Sequence, residues 1–283
     1  WRCEMRNIGI VMEYVGTGYQ GFQFQPEAGS GGRGRPVRTV QGCIEDAILR
    51  LTGENLRIVG AGRTDAGVHA LGQVANFRTC SRIPADRFAA ALNPLLPRDI
   101  RLIRSFEVPQ AFNARFDALW KVYRYLIIPE AGRIPEARAG GALLAGRGLL
   151  TRNALPEEAV GAMEAAGTRL VGSHDFSAYA ARGSSAKTTV RTIRRLEVRR
   201  ERWESLELDL VVVEIEANGF LYKMARTIVG ALLEVGMGRM EPDGPAKLLE
   251  SRDRRLGPAT APPDGLYLAK IAYPEPIGSL TSP

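Results

Sequence analysis

The chain has 283 residues, 45% of them hydrophobic and 24% charged, which is an ordinary composition for a globular protein with one large or two smaller domains. No run of about 18 uncharged apolar residues occurs, so we expect no membrane-spanning helix. The net charge of +7 permits a polyanionic partner such as a nucleic acid but does not identify one.

Histidine and cysteine are too sparse for a metal site. The two histidines, His69 and His174, are far apart in the sequence, and the three cysteines have no CxxC spacing. No Walker A or dinucleotide-binding fingerprint occurs, so we expect neither a metal nor a nucleotide cofactor. A reducing compartment fits best. We expect a cytoplasmic location, or an organellar one if a targeting segment has been removed.

In the first part of the chain, the hydrophobic patterns predict the order strand, helix, strand, strand, helix, strand. The predicted strands are 7–15, 56–59, one from about residue 72, and 100–108, and the predicted helices are 40–51 and 84–92. A glycine-rich loop with Tyr19 and Phe22 follows the first strand. Its aromatic rings either stack on bases or are buried and pin the loop, and the second interpretation is the default. Residues 26–36 form a Gly- and Arg-rich insertion.

Between the second and third strands lies the stretch GRTDAGVHA at residues 62–70. Its glycines allow a tight bend, and Asp65 lies at the tip of that bend, two residues after Arg63. An aspartate in a turn usually only bonds to nearby backbone amides, so Asp65 alone does not indicate catalysis.

The second part of the chain echoes the first in its order of elements. The predicted strands are 120–128, 187–198, 206–217 and 266–268, and the predicted helices are 155–170, one within 220–236, and 242–250. Residues 130–150 form a second insertion, and we expect no ordered structure after Pro274. We therefore predict an α+β fold with two ferredoxin-like or RNA-recognition-motif-like halves, residues 1–110 and 111–283. They are expected to form one extended, mainly antiparallel sheet with helices on one face.

Three side chains in the second part each have two interpretations. Tyr123 is either a half-buried packing residue or a ring that contacts a ligand. Arg226 interrupts an apolar helix, so it either pairs with a buried carboxylate or is an ordinary exposed charge. His174 is either catalytic or orients a loop, and the sequence favours the structural role.

The stretch GRTDAGVHA closely resembles the active-site motif of the tRNA pseudouridine synthase A family. Other blocks are also similar to that family: the loop after the first strand, KVYRY at 121–125, GSHDFS at 172–177, the helix that contains Arg226, and APPDGLYL at 261–268. The family commonly has a tryptophan where this chain has Phe22.

This resemblance implies a central catalytic cleft that isomerises uridine to pseudouridine. Asp65 is implied as the nucleophile, Tyr123 as the ring that stacks on the target base, and Arg226 as the ion-pair partner that keeps Asp65 charged. His69 and Phe220 are implied as substrate contacts.

Arg63 is likewise implied as a substrate contact, either to a phosphate or in the space that the extruded base leaves. The implied partners are tRNA, modified at positions 38–40 of the anticodon stem-loop, and a second copy of the chain in a homodimer. One alternative is a non-catalytic RNA-binding protein on the same fold. Another is a metal-dependent nuclease, which needs clustered carboxylates where the motif offers only Asp65.

Overall fold

The structure is a computed structural model, and it describes residues 4–23, 37–128, 149–150, 155–183, 186–204 and 208–281. Within these residues the fold is mixed α/β, with ten strands, six α-helices and a large, mostly antiparallel sheet. The prediction of an α+β fold is confirmed at this level, while the ferredoxin-like halves and the central cleft stay predictions. The predicted insertion at 26–36 lies outside the described residues, and so does the one at 130–150 except for Leu149–Leu150, which form a short strand.

The chain divides into two compact units, residues 1–119 with 268–283, and residues 120–267. The strands and helices of the first unit are β1 (Arg6–Tyr14), α1 (Val40–Thr52), β2 (Val59–Gly60), β3 (His69–Thr79), α2 (Phe88–Leu92), β4 (Ile100–Val108), most of β10 (Leu266–Ala272) and α6 (Ile277–Thr281). β1 lies between β3 and β4 and is antiparallel to both, β2 pairs with β3, and β10 is the other neighbour of β3. The stretch GRTDAGVHA follows β2 and leads directly into β3.

The helix α1 follows from its sequence. The Thr39 side chain caps it by accepting a hydrogen bond from the Gly42 N–H, and Gly53, with a φ of 76°, ends it in the left-handed conformation. Its apolar face includes Ile44 and Ile48, which are completely buried. Each such side chain contributes roughly 1.5–3 kcal/mol through burial.

Two elements of the first unit are shorter than predicted. The strand expected at 56–59 is reduced to β2, because the Ile58 N–H donates to Glu45 Oε1 at 3.0 Å and not to a neighbouring strand. The helix expected at 84–92 is α-helical only from Phe88, and a 3-10 turn at Ala85–Arg87 precedes it. The expectation of no order after Pro274 was wrong, since α6 lies there.

The second unit is built around a sheet of four antiparallel strands. Its elements are β5 (Trp120–Ile128), β6 (Leu149–Leu150), α3 (Glu157–Thr168), β7 (Gly172–Asp175), β8 (Val190–Trp203), β9 (Leu208–Ala217), α4 (Met224–Gly236) and α5 (Gly244–Ser251). The strand order is β5, β9, β8, β7, and β6 runs parallel to β5. α4 begins only at Met224, because Lys223 has a φ of 60° and is not helical.

Candidate active site

The loop between β2 and β3 carries the motif. Asp65 lies in this loop and is half-buried, whereas Arg63 is exposed. The Val68 N–H donates to the Asp65 carbonyl at 3.1 Å, and Gly67 has a φ of 82°, which an L side chain rarely adopts. The aspartate is therefore held at a tight bend, as the sequence predicted.

A second loop, the one after β1, packs against this bend through backbone contacts. A Cβ on Gly16 would lie 1.9 Å from the Val68 carbonyl oxygen, and a Cβ on Gly21 would lie 2.6 Å from that of Thr64. The Phe22 N–H also donates to the Thr64 carbonyl at 3.1 Å. These approaches need glycine, because any side chain would push the two loops apart.

Two buried rings pin the second loop. Tyr19 and Phe22 are each only 2% exposed, so the interpretation as a loop pinned by buried rings is confirmed for both. The Tyr19 hydroxyl donates to Asp99 Oδ1 at 2.5 Å, and its backbone carbonyl accepts the Gly67 N–H at 3.3 Å. Tyr19 thus links the motif loop to the start of β4.

A buried polar network supports the motif from below. The hydroxyls of Tyr14 and Thr64 lie 2.8 Å apart. Gln73 in β3 donates from Nε2 to the Gly62 carbonyl at 2.7 Å and accepts the Gly62 N–H at its Oε1 at 3.2 Å. Burial raises the pKa of Tyr14, and its hydrogen bonds with Thr64 and Gln73 offset this in part, so the phenol stays neutral. The network fixes the backbone on both sides of Arg63.

The predicted substrate contact His69 lies inside this support. It is 1% exposed, and its Nδ1 accepts the Gly16 N–H at 3.0 Å. This bond joins β3 to the loop after β1, so the geometry favours a supporting role. Contact of His69 with substrate stays a prediction.

In the second unit, two predicted site residues lie together. Tyr123 in β5 is 7% exposed, and its ring centroid lies 4.8 Å from that of Phe220 in an edge-to-face arrangement. Phe220 is half-buried in the segment before α4. The two rings therefore pack against each other, and stacking of a base on Tyr123 stays a prediction.

Arg226 is half-buried in the first turn of α4. Its Nε donates to the Ala261 carbonyl at 2.7 Å, and its own carbonyl accepts the Ala261 N–H at 3.1 Å. Burial raises the pKa of Tyr125, and the positive charge of Arg226 offsets part of this rise. Arg226 is thus tightly positioned within its unit, and its pairing with Asp65 stays a prediction.

His174 lies in β7, where one of its ring nitrogens, Nε2, is 3.0 Å from the Val171 carbonyl. This contact agrees with the structural role that the sequence favoured. Among the described residues, no three His, Cys, Asp or Glu side chains are grouped so that they could hold a metal ion. None of the described helices is long and apolar enough to cross a membrane.

Comparisons with known proteins show the family of this chain. A sequence model of the tRNA pseudouridine synthase family matches residues 10–117 and 166–274. A relative named tRNA pseudouridine synthase A from Acetivibrio thermocellus is 45% identical over 269 residues, which cover 95% of this chain and all of the relative. Relatives of the same name from Thermoanaerobacter sp. and Caldicellulosiruptor bescii are 42% and 41% identical over the same coverage. The chain belongs to the tRNA pseudouridine synthase A family.

The family match includes Asp65 and Arg226, while Tyr123 lies between the two matched stretches. The family's motif predicts the loop, but the sequence patterns do not predict the supporting residues Tyr14 and Gln73. The one available signal was Gln73 itself, a polar residue whose alternate neighbours Leu71, Ala75 and Phe77 are apolar.

Proposed function

We propose that this pseudouridine synthase isomerises uridines at positions 38–40 of the tRNA anticodon stem-loop, with Asp65 as the nucleophile. The observation that carries the proposal is the half-buried, hydrogen-bonded placement of Asp65 in the family's motif loop. Preorganised groups accelerate a reaction because no reorganisation is needed when it occurs.

The chemistry suits a carboxylate. The N1–C1′ glycosidic bond breaks, the uracil turns, and a C5–C1′ bond forms, while the C5 proton is lost and N1 gains a proton. The isomerisation is redox-neutral overall. A carboxylate can form a covalent bond to the sugar C1′ or to the base C6 and release it later. Both points of attack are compatible with the proposal.

The residues of the second unit have proposed supporting roles. Tyr123 stacks on the extruded uracil, with Phe220 beside it at 4.8 Å. Arg226 favours the charged form of the nucleophile, because a nearby positive charge stabilises a carboxylate. Replacing Arg226 with lysine keeps the charge but loses the donor geometry that Ala261 orients.

The proposed substrate is whole tRNA, and the proposed assembly is a homodimer. Size-exclusion chromatography with light scattering tests the assembly, and a monomer mass at micromolar concentration would contradict it. The competing function is a non-catalytic protein that binds structured RNA. It predicts binding of tRNA without any pseudouridine.

The deciding experiment measures pseudouridine in tRNA after incubation with the parent protein, Asp65→Asn and Asp65→Ala, in EDTA throughout. We expect the parent to form pseudouridine at positions 38–40 and both variants to bind tRNA without reaction. Pseudouridine formed by Asp65→Ala at the parental rate would exclude Asp65 as the nucleophile. Binding by the parent without pseudouridine would replace the synthase with the RNA-binding alternative.

A further inference from the structure

One aromatic side chain in the unit that contains the motif loop is highly exposed to solvent. Phe116 is 76% exposed, more than any other large hydrophobic side chain among the described residues. It lies in the segment between β4 and β5, in the same unit as Asp65. Single exposed apolar residues are common, so Phe116 needs further evidence before a function is assigned.

The turn that holds Phe116 is rigid. The Asn113 side chain accepts the backbone N–H groups of Arg115 and Phe116 at 3.0 and 3.2 Å. Asp117 closes the turn in the other direction, since its Oδ2 accepts the Asn113 N–H at 2.9 Å. A preordered aromatic loses little entropy when a ligand binds to it.

The same turn is anchored to the strands that carry the motif loop. The Ala114 N–H donates to Asn76 Oδ1 at 2.9 Å, and the Tyr273 hydroxyl donates to the Ala114 carbonyl at 2.6 Å. Asn76 in β3 is the register partner of Val59 in β2. Because β2 leads into the motif loop, the turn and the loop share one support.

Two arginines lie at this place. The Arg115 guanidinium carbon is 5.4 Å from the Phe116 ring centroid, within the range of a cation–π contact. Arg63 in the motif loop is largely exposed, and its partial burial and the positive charge of Arg115 both lower the pKa of its guanidinium group. Among the described residues, neither arginine forms an ion pair with a carboxylate. The site thus has positive charge that a bound anion would neutralise.

We propose that Phe116 and Arg115 form a nucleotide platform, which binds an unpaired nucleotide of the RNA substrate. The base stacks on Phe116, and the adjoining phosphate lies on the Arg115 guanidinium group. An aromatic face accepts any base, and a guanidinium fork matches a phosphate, so the platform binds single-stranded RNA with little sequence preference. The choice of RNA as the partner rests on the proposed function.

Equilibrium binding of fluorescent tRNA tests the platform. Kd is measured at about 0.1 M salt in the Asp65→Asn background, where no turnover occurs, for Phe116→Ala, Phe116→Leu and Phe116→Trp. Phe116→Leu keeps an apolar side chain but removes the ring. The control is Leu256→Ala, which removes another exposed apolar side chain, 68% accessible. We expect the alanine and leucine variants to raise Kd roughly tenfold or more, and tryptophan and Leu256→Ala to leave it within about twofold.

The charges are tested through the salt dependence of binding. Arg115→Gln is expected to lower the slope of log Kd against log salt by about 0.7, the value for one contact to a single-strand phosphate. The platform would be overturned if Arg115→Gln left the slope unchanged and Phe116→Leu left Kd unchanged. A peptide ligand that competes with tRNA only when Phe116 is present would assign the surface to a protein partner instead.

The outcomes separate the platform from the proposed function. A parent protein that forms pseudouridine, with Phe116→Ala equal to it in Kd and rate, rejects the platform alone. A parent protein that binds tRNA through Phe116 but forms no pseudouridine rejects the synthase alone.

Discussion

Replacing Gly16 with alanine tests whether the loop after β1 sets the position of Asp65. The new Cβ would lie 1.9 Å from the Val68 carbonyl oxygen and 2.6 Å from its carbonyl carbon. Both are backbone atoms, so no side-chain rotation relieves the clash. Val68 donates its N–H to the Asp65 carbonyl at 3.1 Å, so displacement of Val68 moves the proposed nucleophile.

The size of the effect follows from the overlap. A Cβ essentially never approaches a heavy atom within 3.0 Å, so from 1.9 Å the two loops must separate by more than 1 Å. Overpacking of this kind costs roughly 1–3 kcal/mol in the free energy of unfolding. A displacement of about 1 Å at a reacting group lowers the rate on the order of 100-fold.

Single-turnover pseudouridine formation at saturating tRNA measures the rate, and urea unfolding measures stability. Gly18→Ala is the matched control from the same turn, because its Cβ would meet nothing closer than 3.8 Å. We expect Gly18→Ala to behave like the parent, and Gly16→Ala to lose rate while it remains folded below its unfolding transition. Equal rates for the two variants would refute the inference that this loop positions Asp65.

Three further predictions concern other side chains. Gln73→Leu removes two hydrogen bonds to the motif loop, so kcat should fall at least tenfold while Kd for tRNA stays within about twofold; a Kd change alone would contradict the positioning role. In the parent protein, Arg124 pairs with the buried carboxylate of Glu214 at 2.5 Å. Glu214→Ala removes this partner and should lower the free energy of unfolding in urea by about 1–3 kcal/mol, and Glu214→Gln should lower it less. Arg255 holds the pKa of Asp253 at about 2, below the ordinary 3.8. Because the pKa of Asp253 is lower in the folded state than in the unfolded state, its ionised carboxylate stabilises the fold at pH values above the ordinary pKa. This stabilisation is lost as the pH falls through about 2. A carboxyl-carbon NMR titration should therefore give a midpoint near 2 for Asp253, and a higher one after Arg255→Gln.

Local patterns predicted most of the fold. β4 at Ile100–Val108 and β5 at Trp120–Ile128 have the predicted bounds, because alternation of apolar residues is a property of neighbours in the chain. The departures arise where a distant group competes for the backbone. Glu45 takes the Ile58 N–H and shortens a strand, which no pattern within residues 56–59 reveals.

The candidate site divides in the same way. The sequence by itself determined the family, the motif loop and the bend that carries Asp65, because these depend on contiguous residues. Only the tertiary structure decided what holds that bend: Tyr14 meets Thr64 across 50 residues, and Gly16 meets Val68 across a similar distance. It also decided that residues 268–283 join the first unit and that Phe116 is presented by a turn fixed to β3. Such contacts form between segments that are distant in the sequence, and hydrophobic periodicity along the chain describes only neighbouring residues.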